Sequence, residues 1–149
     1  MIFAVVVLIV FFGDFFLKKY IEMRMEQKKS REICKGRILL RKYHNYGAAL
    51  NFLERCPKLV RNFCGILLLA VGIAWILLLR RKDNPIVLLG LSLLLGGGAS
   101  NLYDRYVRGY VVDYFSFKTP WKRLNQIVFN ISDFCIFLGA VLAAFAGKK

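Results

Sequence analysis

Four apolar runs, at about residues 1–20, 63–79, 86–103 and 127–146, dominate this chain, and basic or acidic residues separate them. A helix needs about 20 mostly apolar residues to cross a hydrocarbon layer of about 30 Å. The chain is 58% hydrophobic, whereas a soluble domain is nearer about 45–50%. Because the excess is gathered into runs, the pattern predicts an all-α integral membrane protein. It is read as four transmembrane helices in a single membrane-embedded domain spanning residues 1–149. The first run has neither the basic start nor the small-residue cleavage site of a signal peptide, so it is read as a helix ending near Tyr20.

Residues 21–62 are too polar to span. Glu22 to Arg31 is charged and permits helix, while Ile38-Leu39-Leu40 and Tyr43-His44-Asn45-Tyr46-Gly47 suit short strands with a turn. The fold expectation therefore includes a small β-sheet and loop region after helix 1. Ala48 to Leu53 is read as a short surface helix that Pro57 stops. Arg80-Arg81-Lys82-Asp83-Asn84-Pro85 makes a tight basic turn between the second and third runs. Gly96-Gly97-Gly98 weakens a helix but lets neighbouring helices approach closely in lipid. Pro120, Trp121, Lys122 and Arg123 suit an interfacial segment.

The formal charge of +14 points to lipid rather than nucleic acid. Its lysines and arginines lie in loops between apolar runs, where anionic headgroups are the nearer partner. Cys34, Cys56, Cys64 and Cys135 have no C-x-x-C spacing, and His44 is the sole histidine, so no metal is expected. Nothing suggests an organic cofactor. Residues 18–61 hold 13 Lys and Arg and residues 103–126 hold 5, against 3 in the short turn and 2 at the C-terminus. By the positive-inside tendency alone, the two long loops would face the cytoplasm.

Polar residues placed at the edges of apolar runs are expensive, which marks them as candidates for function. Asn101, Asp104 and Arg105 have the i, i+3, i+4 spacing of one helix face; Asn130 and Asp133 are spaced i, i+3 at the start of the fourth run. Asp113 follows a turn at Gly109 and an extended Tyr110-Val111-Val112 piece that can return it over the helix ends. Two carboxylates meeting in a low dielectric cannot both ionise, so one keeps a proton near neutral pH. Such a pair can activate water and protonate a peptide carbonyl. Plainer readings stand beside this one. Asp104–Arg105 also fits an ion pair or helix-end anchor, Asp14–Lys18 a neutralised i, i+4 pair, and Asp133 a partner of the helix dipole.

Asn45-Tyr46-Gly47-Ala48-Ala49, Asn101-Leu102-Tyr103-Asp104-Arg105, Gly109-Tyr110-Val111-Val112-Asp113-Tyr114 and Phe129-Asn130-Ile131-Ser132-Asp133 resemble the signature blocks of the lipoprotein signal peptidase (signal peptidase II) family. They occur in that family's order, and Asp14 with Lys18 resembles its first-helix motif. The resemblance implies a four-helix aspartic endopeptidase of the bacterial inner membrane, with its active site towards the extracytoplasmic face. It implies cleavage of prolipoproteins before a diacylglyceryl cysteine, with prolipoproteins and membrane lipids as partners. By resemblance, Asp113 and Asp133 are catalytic, Asn45, Asn101, Arg105 and Asn130 contact substrate, and Asp14, Lys18 and Asp104 support the fold. Phe15, Leu50, Ser100 and Ser132 depart from the family pattern, which has Gln, an aromatic residue, Gly and Ala there. Ser132 is expected to bond a carboxylate or a backbone carbonyl and so to alter the aspartate pair. The alternative is a small transporter subunit, or a non-catalytic scaffold, using the same polar cluster for binding.

Overall fold

The structure, a computed structural model, describes residues 1–27, 29–48, 52–82 and 84–146, with Lys122 and Arg123 described by backbone alone. Its elements in chain order are α1 (Ile2–Arg24), β1 (Ser30–Ile33), β2 (Ile38–Asn45), α2 (Pro57–Arg80), α3 (Pro85–Val107), β3 (Val111–Phe117), α4 (Lys122–Gln126) and α5 (Ile131–Ala146).

The chain is mostly helical but not all-α, because β1, β2 and β3 form one antiparallel sheet in that order. Its third strand comes from the loop after α3, not from the region after helix 1. Val111-Val112-Asp113-Tyr114-Phe115 is β-branched and aromatic, which favours a strand wherever a partner edge is in reach. The proposed surface helix at 48–53 falls largely on residues 49–51, outside the described residues, and 52–55 form turns. Pro57 does not stop a helix. It opens α2, which begins six residues before the apolar run at Phe63. A proline ring presets the helical φ and lacks only an N–H that a first turn leaves unpaired anyway. The fourth run is also divided. Residues 127–130 are non-helical, with Phe129 bridged to Phe115 of β3, and α5 starts at Ile131. Ile-Val-Phe reads alike for strand and helix, and here the pairing with β3 decides.

α2 and α3 are long and apolar enough to cross a membrane, with mean hydropathies of 2.5 and 1.6. α2 exposes Leu59, Phe63, Ile66, Leu69 and Ile73, a surface far larger than water tolerates on a monomer. α3 runs through the middle, against α1, α2 and α5. Three successive glycines make this possible, since neighbouring helix residues point about 100° apart. A Cβ on Gly96 would lie 2.7 Å from Val10 Cβ of α1, on Gly97 2.7 Å from the Ser132 carbonyl oxygen of α5, and on Gly98 2.7 Å from Leu68 Cδ1 of α2. The triplet thus faces three helices. One heptad away, Gly90 meets Gly139: a Cβ on Gly90 would lie 2.7 Å from the Gly139 carbonyl oxygen. Backbone cannot yield as a leucine tip can. Gly90→Ala or Gly139→Ala is therefore expected to lower stability in detergent by ~1–3 kcal/mol, and Gly98→Ala by less. Thermal unfolding of the three purified variants checks that order.

Ile21 of α1 packs with Val112 and Tyr114 of β3, and Leu40, Tyr110 and Phe115 pack around them. This small core fixes the sheet over the end of α1. Within the sheet the register shifts between Leu40 and Tyr43, so Arg41 and Lys42 together face Tyr114 before Tyr43 pairs with Asp113. Such a bulge twists a strand and re-aims its side chains. It also sets which residues stand opposite Asp113.

Candidate active site

Asn130 brings the two aspartates together. Its backbone N–H donates to Asp133 Oδ2 at 3.0 Å, and its side-chain oxygen accepts from the Asp133 N–H at 2.9 Å. This reciprocal exchange is a capping box at the start of α5, with Asn and Asp in the usual places of Ser/Thr and Glu. The remaining amide hydrogens face the other carboxylate, and Asn130 Nδ2 donates to Asp113 Oδ1 at 2.7 Å. One fully buried asparagine therefore holds both acids. Asp113 Oδ2 accepts from Asn45 Nδ2 at 3.0 Å, and Asn45 is itself oriented by accepting from the Gly47 N–H at 3.0 Å. Asp133 Oδ1 accepts from Asn101 Nδ2 at 3.0 Å.

Asp113 lies on β3, outside the helices. Burial pushes its carboxyl up to about 7, and the nearby charge of Asp133 pushes the same way. A carboxyl that titrates near neutral pH beside a second carboxylate suits proton exchange with water.

Beneath the pair lies a second buried cluster. Lys18 Nζ stands 2.8 Å from Asp14 Oδ2 and 3.3 Å from Asp104 Oδ2. It donates to Asn101 Oδ1 at 2.7 Å, so Asn101 joins this lysine to Asp133. Asp104 also accepts from the Val112 N–H at 3.1 Å and lies 3.4 Å from Arg108 Nε, so its ion partners are Lys18 and Arg108 rather than Arg105. Arg105 turns instead to main-chain oxygens, donating to Gly47 O at 2.8 Å and to Asn101 O at 3.2 Å. Its Nε is buried without a partner among the described residues. Asn101, Asp104 and Arg105 thus share a helix end while serving different contacts.

Ser132 does bond a carboxylate, but the carboxylate is Asp14 rather than either member of the pair. Ser100 donates to the same Asp14 oxygen at 2.7 Å. Tyr114 stands in the sequence only as a letter of its motif, yet its hydroxyl donates to Asp14 Oδ1 at 2.8 Å and accepts from the Ile131 N–H at 3.0 Å. Burial and the Asp14 charge raise the Tyr114 phenol above its ordinary range, so it stays a donor. Its position next to Asp113 on an alternating strand was the available signal. Phe15 packs edge-on against Tyr103 with centroids 5.3 Å apart, filling the α1–α3 seam. Leu50 lies outside the described residues.

Against known proteins, the family model described as Signal peptidase (SPase) II matches residues 6–147. The chain belongs to the signal peptidase II family. Among relatives, the lipoprotein signal peptidase of Streptococcus pneumoniae is 29% identical over 146 residues, covering 98% of this chain and 92% of that protein. The Shewanella baltica lipoprotein signal peptidase is 33% identical over 141 residues, covering 92% of this chain and 80% of that one. That of Alteromonas mediterranea is 36% identical over 101 residues, or 66% of this chain, and the match spans only 54% of the relative's length. A bacterial membrane enzyme solved by the in meso method superposes with a TM-score of 0.80 at 25% identity, covering 97% of this chain and 85% of that one.

Proposed function

We propose that this chain is an aspartic endopeptidase that removes the signal peptide from diacylglyceryl-modified prolipoproteins, cutting before the lipidated cysteine. One observation carries the reading: Asn130 bonded to Asp113 through its side chain and to Asp133 through its backbone. The single domain of residues 1–149 crosses the bacterial inner membrane four times, through α1, α2, α3 and α5. The pair lies towards the extracytoplasmic face. On this reading the basic residues of the long loops lie against lipid phosphate, and the Arg80-Arg81-Lys82 turn sets orientation.

In the proposed reaction the lipid anchor and the residues before the cysteine enter sideways from the bilayer. The ionised carboxylate takes a proton from water as the water oxygen attacks the scissile carbonyl carbon. The protonated carboxyl gives its proton to the carbonyl oxygen, forming a gem-diol. As the C–N bond breaks, one diol proton returns to the pair and the other carboxyl protonates the amine. Asn101 and Asn130 have both ends of their amides engaged within the protein, which supports a role in holding the acids. Asn45 and Arg105 stand nearer the loop at Gly47, and this position supports a contact with the substrate backbone there.

The pH dependence follows from the direction of the Asp113 shift. Its value of about 7 lies above the ordinary 3.8, so the folded state holds an extra proton between those limits. The group's contribution to stability falls as pH rises through that window. Cleavage, which needs the shared proton, is expected to decline above about pH 7. Purified protein with a diacylated lipobox peptide, sampled by mass spectrometry across pH, tests the function. Products cut before the lipidated cysteine support it. Binding without cleavage would favour the scaffold, and substrate movement without cleavage the transporter subunit.

A further inference from the structure

A groove of about 490 Å³ opens between β2, the segment after α1 and the segment before α5. Arg41, Lys42 and His44 line it with Gln27, Ser30 and Gln126, and none of the lining residues among those described is acidic. The bulge that sets Arg41 and Lys42 together opposite Tyr114 turns consecutive basic residues toward one space. Neither lies within salt-bridge distance of a carboxylate among the described residues, although the Glu22 carboxylate, 3.1 Å from His44 Nε2, is near enough to feel the Lys42 charge. Arg41 Nη2 donates to the Asn125 carbonyl oxygen at 2.7 Å, and Lys42 Nζ donates to the Glu22 carbonyl oxygen at 3.1 Å. The Nε of Arg41 is buried with no partner among the described residues. Lys29, also at the rim, is by contrast paired with Glu26 at 2.8 Å.

The unpaired basic side chains and the nearness of the groove to helix ends together favour an anionic headgroup as its ligand. Gln27 lies three residues beyond the end of α1, and Val128, also in the lining, three residues before the start of α5. At ~3.3 Å per extended residue, both lie within about 10 Å of helix ends. The polar layer adds about 5–8 Å beyond the hydrocarbon on each side. We propose that this groove binds the phosphate headgroup of an anionic phospholipid. The inference rests on the membrane-spanning reading given above, but not on the peptidase assignment. Paired cations fixed to backbone carbonyls meet the phosphate, while Ser30, Gln27 and Gln126 suit a hydroxylated headgroup. A lipid held here would anchor the sheet beside Asn45 and Asp113, since Tyr43 pairs with Asp113 in the same strand register.

The test uses the full chain in neutral detergent with dioctanoyl phosphatidylglycerol, dioctanoyl phosphatidylcholine or inorganic phosphate, with binding read by native mass spectrometry and no peptide substrate present. The glycerol lipid is expected to bind at least about tenfold more tightly than the choline lipid. Removing one basic side chain near a membrane surface weakens anionic-lipid binding about fivefold. Lys42→Gln should therefore lose about fivefold and Arg41→Gln/Lys42→Gln about 25-fold, with Lys42→Arg restoring binding and Arg80→Gln/Arg81→Gln leaving it unchanged. Circular dichroism identifies any variant that fails to fold, and the Lys42→Gln and Lys42→Arg pair then decides alone. Equal retention of both lipids, or undiminished binding by Lys42→Gln, would overturn the proposal. Tight binding of phosphate alone would overturn the lipid assignment. Because no cleavage is measured, failure here is separate from failure of the peptidase reading.

Discussion

Asp113→Asn and Asp133→Asn are each expected to lower kcat on a diacylated lipobox peptide by about 10³-fold or more, with little change in substrate binding. General acid–base catalysis contributes about 10²–10⁴-fold in such reactions, and each substitution removes a group needed in both halves of the cycle. Asparagine keeps the size of the side chain. At position 113 it still accepts from either Asn45 or Asn130 but not from both, and at 133 from either Asn101 or the Asn130 N–H. Leaving one buried donor unpaired costs ~1–3 kcal/mol, which a sound membrane bundle tolerates. A variant that binds substrate with near-normal affinity and does not cut it has lost chemistry. Steady-state kinetics with a parallel binding measurement separate the two effects. Cleavage retained by either variant would remove that aspartate from the mechanism.

The second large effect concerns stability. Lys18 is 1% exposed and is the only cation within salt-bridge distance of Asp14 among the described residues. Lys18→Met would leave Asp14 and part of Asp104 buried without their counter-charge. Breaking a buried pair from one side typically costs ~3–5 kcal/mol, and that loss is expected in reversible unfolding from mixed micelles. Ser100→Gly and Ser132→Ala each remove one donor to the same Asp14 oxygen. A hydrogen bond to a charged group contributes ~1.5–3 kcal/mol, so both variants should fall between wild type and Lys18→Met. Equal stability of Lys18→Met and wild type would mean that the charges are solvated, against the burial described here.

What could be read from the sequence divides along physical lines. The glycine triplet announced close helix approach, because glycine in a lipid-facing run has few other uses. The spacing of Asn130 and Asp133 suggested proximity, and the structure supplies the reason, a capping exchange that begins one residue before the helix. Pro57 and residues 127–130 fold otherwise than their sequence suggests because their cues are ambiguous locally: proline both ends and begins helices, and a short apolar run fits strand or helix. The pairing of β3 with β2 joins residues about seventy positions apart, which no local pattern encodes. Ser100 and Ser132 looked like isolated departures in sequence. Only the packing of α3 and α5 against α1 brings their hydroxyls to one oxygen of Asp14.

The proposed chemistry depends on the coupling of two acids from different elements, and a carboxyl titration of Asp113 measures it most directly. In protein carrying ¹³C-labelled aspartate, with Asp113 assigned by its loss in Asp113→Asn, the wild-type signal is expected to titrate near pH 7. In Asp133→Asn the same signal should move to lower pH, because the neighbouring charge is gone. A wild-type midpoint near 4, or one that ignores the substitution at 133, would contradict the shared proton and the proposed chemistry with it.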